Sequence, residues 1–274
     1  GSFDSFILWD ILQGKKIQTF AHPKAFMGDT TAVAFSPDGK SFASGGKGTI
    51  LWNLVTRQEV LTFDDNRAVS VAFSPDGKYL LSGGPPSDLA LFSKPKPPTM
   101  KIFDVATGRE TRDLKLKLQQ NIWSVAYSPD GKYVLSGSSG GKMTLWNASF
   151  GNSVKTVVGS EDFLDPRVNA VAFSSDGEYA LSGGYDNSVR LWNAKNLTQI
   201  KKFVGHTGLS GIRSVAFSPD GKYALSAGYD SQVKIWDLSA GSEWKVLAGH
   251  TGINGASAKF FPDGKYVVSA GDAS

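Results

Sequence analysis

The chain of 274 residues carries a formal net charge of +4 and contains no cysteine. The missing thiols exclude disulfides and thiolate chemistry, and no apolar run approaches the roughly 18 residues of a transmembrane helix. The charge falls short of the concentrated Lys/Arg stripe of a nucleic-acid footprint. We therefore expect neither nucleic acid nor a membrane as a partner.

The chain opens with two predicted strands, 6–10 and 16–20, joined by a turn at 11–15. Further predicted strands follow in sets of four, each a short run of β-branched and aromatic residues bounded by turn-forming clusters. These sets occupy about 30–63, 67–116, 121–159, 167–204 and 211–248. Two last strands, 256–261 and 266–270, follow without a third and a fourth strand of their own.

A recurring turn separates the first and second strands of every set. The same turn joins the final two strands of the chain, 256–261 and 266–270. It reads SPDGK in most places, where Pro fixes φ, Asp bonds its own backbone and Gly accepts a positive φ. Its aspartates, spaced by 38 to 54 residues, are Asp38, Asp76, Asp130, Asp176, Asp220 and Asp263. The third strand of each set closes with ILWN, KIFD, TLWN, RLWN or KIWD. Four strands and a closing Trp-Asp in about 40–45 residues are typical of one propeller blade.

On these motifs the chain resembles the WD-repeat β-propeller family over essentially all of its length. The resemblance implies an all-β fold, a single six-bladed propeller of four-stranded antiparallel blades that forms one domain over 1–274. Because closure removes free sheet edges, we expect the N-terminal strands in 3–20 to pair with the C-terminal strands in 255–274 as one blade. Seven blades are commoner in this family, so a missing seventh blade is the alternative.

The connections between strands differ in length at one end of the strands only. With the strands of a blade lettered a to d from the axis outward, the a–b and c–d turns are nearly uniform. The insertions 21–29, 85–98 and 160–166 all fall among the d–a and b–c loops. A rigid scaffold with variable loops on one face is the usual anatomy of a binding protein, so we expect that face to bind the partner. The alternative is that insertions accumulate wherever they are tolerated.

The family resemblance places a partner-binding rim at the starts of the a strands and at the residue before the aspartate of a b–c turn, which is Asp186 or Asp230 in this chain. Those positions are Thr31, Arg67, Val69, Asn121, Trp123, Arg167, Asn169, Tyr185, Arg213, Tyr229 and Asn254. Arg, Trp and Tyr are enriched in interface hot spots, and Arg can bind a carboxylate or phosphate with two hydrogen bonds. We therefore expect a protein or peptide partner that is acidic or phosphorylated. The alternative is that each Arg pairs with a loop acid such as Asp64, Asp65, Glu161 or Asp162.

The histidines occupy matching repeat positions before a strands, at His22, His206 and His250. The resemblance implies a buried chain of hydrogen bonds that leads from His206 through Ser226 and Asp230 towards Trp236. It implies a second chain of His250, Ser269 and Trp9, with Asp4 or Asp272 as the acid. Ser, His and Asp together also describe a hydrolase triad, but this set repeats in each blade and ends on an indole rather than an oxyanion hole.

These patterns predict a non-catalytic protein-interaction scaffold, monomeric and cytoplasmic, with no cofactor. No metal site is expected, because the three histidines lie at blade spacing rather than at ligand spacing. Two alternatives stay open. One is a hydrolase or lyase with its active site at the channel mouth, and the other is a purely structural domain of a larger signalling protein.

Overall fold

The computed structural model describes residues 5–10, 15–21, 32–65, 67–85, 98–114, 116, 120–162, 165–208, 211–250 and 257–270. These described residues form 24 β-strands and no helix, and thus no helix among them could cross a membrane. The chain divides into two compact units, Gly1–Ile122 and Trp123–Ser274, which are described separately. Several predicted positions, namely Asp4, His22, Thr31, Asn254 and Asp272, lie outside the described residues.

The described part of the first unit consists of one two-stranded and two four-stranded antiparallel sheets. The two-stranded sheet pairs β1 (Ser5–Asp10) with β2 (Lys15–Ala21). The next sheet consists of β3 (Ala32–Phe35), β4 (Ser41–Gly46), β5 (Gly48–Asn53) and β6 (Glu59–Phe63). The third consists of β7 (Ser70–Phe73), β8 (Tyr79–Gly84), β9 (Thr99–Asp104) and β10 (Glu110–Asp113). In both larger sheets the strands lie side by side in chain order.

The second unit continues the pattern with three four-stranded sheets and a final pair of strands. Its first sheet begins at the unit boundary with β11 (Ile122–Tyr127), β12 (Tyr133–Ser138), β13 (Lys142–Asn147) and β14 (Ser153–Val158). The next contains β15 (Val168–Phe173), β16 (Tyr179–Gly184), β17 (Ser188–Asn193) and β18 (Gln199–Val204). The third contains β19 (Ile212–Phe217), β20 (Tyr223–Gly228), β21 (Val233–Asp237) and β22 (Ser242–Leu247). The pair is β23 (Ser257–Phe260) and β24 (Val267–Ala270).

The predicted all-β fold of four-stranded antiparallel blades is confirmed. Each of the five four-stranded sheets falls within one predicted set, and the two predicted half-blades are present as the pairs β1–β2 and β23–β24. The pairing of those two half-blades with each other stays a prediction, as does the organisation of the chain as one domain.

The recurring turn is held by its own serine and aspartate. In the turn between β19 and β20, Ser218 Oγ donates to Asp220 Oδ1 at 2.6 Å and accepts the Tyr223 N–H at 2.9 Å. The same Oδ1 accepts the Lys222 N–H at 3.1 Å, and Gly221 adopts a φ of 70°. The Ser218 hydroxyl and the Lys222 N–H hold the pKa of the Asp220 carboxyl below its ordinary value. Equivalent serine–aspartate bonds occur at Ser36–Asp38, Ser74–Asp76, Ser128–Asp130 and Ser174–Asp176.

Neighbouring sheets of the second unit pack directly face to face. Trp236 of β21 lies in one cluster with Leu181 and Phe203 of the preceding sheet, and its ring centre is 5.5 Å from that of Phe203. The second strand of the β15–β18 sheet, β16, can approach the next sheet because it has glycine near its end. A Cβ at Gly183 would lie 2.5 Å from Ile212 Cγ2, closer than any real contact.

We predict that Ser218→Ala lowers the free energy of unfolding by about 1–2 kcal/mol, because it removes one hydrogen bond to Asp220 and leaves the Tyr223 N–H without its acceptor. Urea unfolding followed by tryptophan fluorescence would measure the change. Ser242→Ala, at an exposed serine on the outer strand β22, is the control and should change stability by less than about 0.5 kcal/mol. Equal losses in both variants would contradict the role assigned to the turn.

Candidate functional site

The predicted rim residues of the second unit lie at one end of the strands. Tyr185 follows β16 and donates its N–H to the Arg167 carbonyl at 2.9 Å, just before β15 begins. Tyr229 follows β20 in the same way and donates to the Gly211 carbonyl at 3.0 Å. Antiparallel pairing therefore brings the residue after the second strand beside the start of the first strand.

Arg167 lies between two aromatic rings that come from adjacent sheets. Its Cζ is 4.9 Å from the ring centre of Trp123, in β11, and 5.3 Å from that of Tyr185. Both distances are within the range of an attractive cation–π contact. Arg167 Nε also donates to Asp165 Oδ1 at 2.8 Å, and its Nη2 binds Asp165 Oδ2, so the pair is bidentate. The sequence places an arginine and two aromatic residues at the rim, and the structure brings them into one stack.

The carboxylate that pairs with Arg167 is Asp165, which the sequence analysis did not name. A signal for it exists in the sequence. Asp165 precedes a proline, which favours extended backbone, and residues two apart on an extended chain point to the same side. The loop holds Asp165 in place, because its N–H donates to Asp162 Oδ1 at 2.8 Å. Pro166 is held as well, since its carbonyl accepts the Gly141 N–H at 2.8 Å.

A second arginine–aromatic pair lies in the next sheet of the same unit. The exposed Arg213, on β19, places its Cζ 5.8 Å from the ring centre of Tyr229. Asn169 connects the two sheets, because its Nδ2 donates to the Ile212 carbonyl at 3.0 Å. Trp123 has a buried indole N–H without a hydrogen-bond partner in the part of the chain that is described.

The remaining described rim residues belong to the first unit. Val69 donates its N–H to the Gly83 carbonyl at 3.0 Å, and Arg67 and Asn121 are half-buried ahead of β7 and β11. Asp65, one of the loop acids considered for an arginine, is buried and accepts the Thr49 N–H at 2.7 Å and the Thr49 hydroxyl at 2.6 Å. Burial raises the pKa of the Asp65 carboxyl, although the bonds from Thr49 oppose the rise.

The histidine network lies inside the second unit, behind the rim. His206 Nε2 is 2.7 Å from Ser226 Oγ, which accepts the Trp236 indole N–H at 2.8 Å. His206 Nδ1 is 2.9 Å from both carboxylate oxygens of Asp230. These distances fit a neutral imidazole that donates from Nδ1 to Asp230 and accepts the Ser226 hydroxyl proton at Nε2.

Ser226 is fully buried between an imidazole and an indole. A substrate cannot reach its oxygen, and the indole N–H already donates to it, so the group lacks the exposed nucleophile of a hydrolase triad. In the last pair of strands, His250 Nε2 is 2.8 Å from Ser269 Oγ. The side chain of Trp9, which the resemblance assigns to that second network, lies outside the described residues.

The bond from indole to serine recurs in other sheets, where no contact to a histidine is present among the described residues. It joins Trp52 to Ser44 and Trp146 to Ser136 at 2.9 Å, and Trp192 to Ser182 at 3.0 Å. The third strand of the β7–β10 sheet carries Phe103 instead, which is buried against the Phe63 ring at 5.2 Å between centres.

Arg190 is a buried charge that the sequence analysis missed. Its Nη2 pairs with Asp186 Oδ2 at 2.7 Å and with Glu161 Oε2 at 2.9 Å, and its Nη1 donates to the Gly159 carbonyl at 2.9 Å. Its side chain is 1% exposed. Burial opposes ionisation of Asp186, but the bonds and charge of Arg190 prevail and hold the pKa of the Asp186 carboxyl below its ordinary value. The sequence does contain a signal for this cluster. A charged residue interrupts the apolar run of a third strand, four positions after Asp186.

Metal ligation has little support within the described ranges. No group of three or more His, Cys, Asp or Glu side chains there could hold an ion.

We predict that the protein loses stability between pH 7.5 and 5.5 through His206. Burial lowers the pKa of the His206 imidazole, and Asp230 opposes this without reversing it. The depressed pKa means that the stability from neutral His206 is complete above the unfolded value near 6.5 and falls as the pH drops through the folded value. His206→Gln should be less stable at pH 7.5 but should lose less on acidification, as measured by urea unfolding at both pH values. An unchanged pH dependence in the variant would contradict this assignment.

We predict that Arg190→Ala lowers the free energy of unfolding by about 3–5 kcal/mol, because it leaves the half-buried carboxylate of Asp186 without its cation. Lys202→Ala is the control. Lys202 also binds Glu161 at 2.9 Å, but its side chain is 36% exposed, so the expected loss is below about 1 kcal/mol. Thermal and urea unfolding would measure both, and similar losses would argue against the buried cluster.

Comparison with known proteins places this architecture in a family. A family model described as the WD domain, G-beta repeat, matches residues 14–53, 57–88, 112–147, 151–193, 197–237 and 241–274. Protein tipD of Dictyostelium discoideum is 26% identical over 165 residues, which are 57% of this chain and 25% of that protein, so the chain spans about a quarter of the relative's length. The match 197–237 begins just before β18, which is the outer strand of one sheet, and it ends with β21 of the next sheet. The six matches cover most of the chain, which belongs to the WD-repeat family.

Proposed function

We propose that this chain is a non-catalytic scaffold that binds a peptide or protein segment on the face carrying the d–a and b–c loops. WD-repeat domains in general are protein-interaction scaffolds that bind proteins or peptides, and the family is typically non-catalytic. The proposal goes further in naming the face and the residues. It also takes the chain as a single propeller domain that acts as a cytoplasmic monomer, as the sequence predicts.

One observation carries the proposal, namely the two arginine–aromatic groups at one end of adjacent sheets. Arg167 stacks between Trp123 and Tyr185, and Arg213 stacks on Tyr229. Stacked aromatic and arginine side chains offer large contact areas that are already ordered before binding, which reduces the entropy lost on association. Side chains of these types dominate the energy of most protein interfaces.

The arginines also favour a partner of a particular charge. Arg213 is exposed, and the Arg167 side chain keeps 34% of its surface accessible despite its ion pair. A guanidinium group that is fixed by stacking can form two parallel hydrogen bonds with a carboxylate or a phosphate. We therefore propose an acidic or phosphorylated segment as the partner.

A second candidate is supported by the length of the relative. This chain matches a quarter of Protein tipD, and a domain within a longer protein would fit that coverage. In that case the chain would serve as a structural domain of a larger signalling protein. The two candidates differ in whether the rim contacts a partner. The hydrolase or lyase alternative has less support, because the serine of the His206 network is buried.

We predict that Arg167→Glu/Arg213→Glu abolishes capture of the partner. The two changes reverse the charges of both arginine–aromatic groups, so a negatively charged segment would be repelled. Wild-type and variant proteins, immobilised at equal density, would be compared by affinity capture from a lysate of the source cells with quantitative mass spectrometry. At least one protein should be enriched on the wild type and lost on the variant.

The matched control is Lys195→Glu/Lys222→Glu, which changes the net charge by the same amount at exposed sites on the uniform turns. Circular dichroism would verify that each variant is folded. A partner that is lost equally on both variants would indicate general electrostatics rather than the rim. A partner retained by the arginine variant would overturn the proposed face.

A further inference from the structure

Arg167 has the geometry of an anion site that is already occupied. Its guanidinium lies between two rings and forms a bidentate ion pair with Asp165, two residues earlier in the same loop. We propose that this site takes a phosphomonoester carried by the partner peptide, and that Asp165 fills it until the phosphate arrives. The proposal deepens the proposed function and rests on it, because it names the ligand chemistry of one rim residue.

The arginine is ordered before any ligand binds. Its backbone is fixed, since its carbonyl accepts the Tyr185 N–H and the preceding Pro166 carbonyl accepts the Gly141 N–H. Its side chain is restrained by the rings of Trp123 and Tyr185. A restrained guanidinium loses little conformational entropy when it binds an anion, which favours tight binding by a small group.

The carboxylate of Asp165 holds the position that a phosphate would take. It meets the guanidinium through two oxygens, as a phosphate does. Its side chain is 38% exposed, so the exchange can take place from solvent. The buried indole N–H of Trp123, which has no partner among the described residues, lies in the ring that contacts this guanidinium. Because its ring packs against Arg167, this N–H is a probe of what the guanidinium binds.

The site discriminates between two kinds of acid. A glutamate or aspartate of the partner would replace one carboxylate by another, and Asp165 has the advantage of being in the same molecule. A phosphomonoester has a charge of about −1.5 to −2 and three acceptor oxygens, so it gains more from the same cation than a carboxylate does. Asp165 thus raises the threshold for binding above what an unmodified acidic residue can meet.

The other acids of this loop are engaged elsewhere, which makes Asp165 separable from them. Glu161 binds Arg190 and Lys202, and Lys202 and Arg190 hold the pKa of the Glu161 carboxyl below its ordinary value. Asp162 accepts the N–H of Asp165, a bond from the backbone that a substituted side chain retains. A change of the Asp165 side chain therefore leaves the buried cluster around Arg190 intact.

We predict that Asp165→Asn increases the affinity for a phosphoserine peptide about tenfold. The probes are short glycine peptides with phosphoserine, glutamate or serine at the centre, and the full chain is used throughout. NMR titration would follow the indole N–H signal of Trp123, assigned from the spectrum of Trp123→Phe. In the wild type, only the phosphoserine peptide should shift this signal, and the gain in the variant should vanish in Asp165→Asn/Arg167→Gln.

The charge-matched control is Asp263→Asn, on a turn at the opposite end of the strands, which should leave the affinity unchanged. If Asp165→Asn is unfolded by circular dichroism, Asp165→Ser would replace it. Equal binding of the glutamate and phosphoserine peptides by the wild type would overturn the proposal, as would an Asp165→Asn affinity no higher than that of Asp263→Asn. If either result occurred while the double arginine variant still lost its partner, the proposed binding face would stand. Only the proposed phosphate site would then be rejected.

Discussion

The structure depends on the burial of both faces of the two middle strands in each four-stranded sheet. In β16 and β17 nearly every residue is buried, and Trp192 and Trp236 pack against the sheet before their own. A strand with two covered faces has no room for recognition groups, so variation is confined to the strand ends and the loops between sheets. The arginines and aromatic residues of the proposed rim lie at such strand ends, where side chains can differ between sheets without disturbing the buried strands.

The same constraint buries polar side chains inside the four-stranded sheets, and different sheets accommodate them differently. In the β19–β22 sheet His206 connects the serine–indole bond to Asp230. In the β15–β18 sheet Arg190 binds the corresponding acid, Asp186, and recruits Glu161 from the preceding loop. In the β7–β10 sheet Phe103 removes the indole altogether. The hydrogen-bond networks are therefore local solutions on a common backbone.

The fold could be predicted from the sequence because its signals are local and repeated. The turn around Asp220 is specified by four adjacent residues, and five further copies make the period unmistakable. The contacts of the site were harder to predict. The pair of Asp165 and Arg167 depends on loop conformation, and the stacking of Trp123 on Arg167 joins residues 44 positions apart on different sheets. Repetition reveals what the copies share, whereas these contacts occur in a single copy among the described residues.

The buried networks have a consequence for how such a protein can grow by duplication. Glu161, Asp186 and Arg190 all fall within the matched segment 151–193, although Glu161 follows the outer strand of the sheet before. The four residues from His206 to Trp236 fall likewise within 197–237. The matched segment is thus offset by one strand from the structural sheet. It contains the members of the buried Arg190 or His206 network, although Lys202, which also binds Glu161, belongs to the next segment. A copied segment inserted elsewhere in the array would bring with it the residues of its buried network.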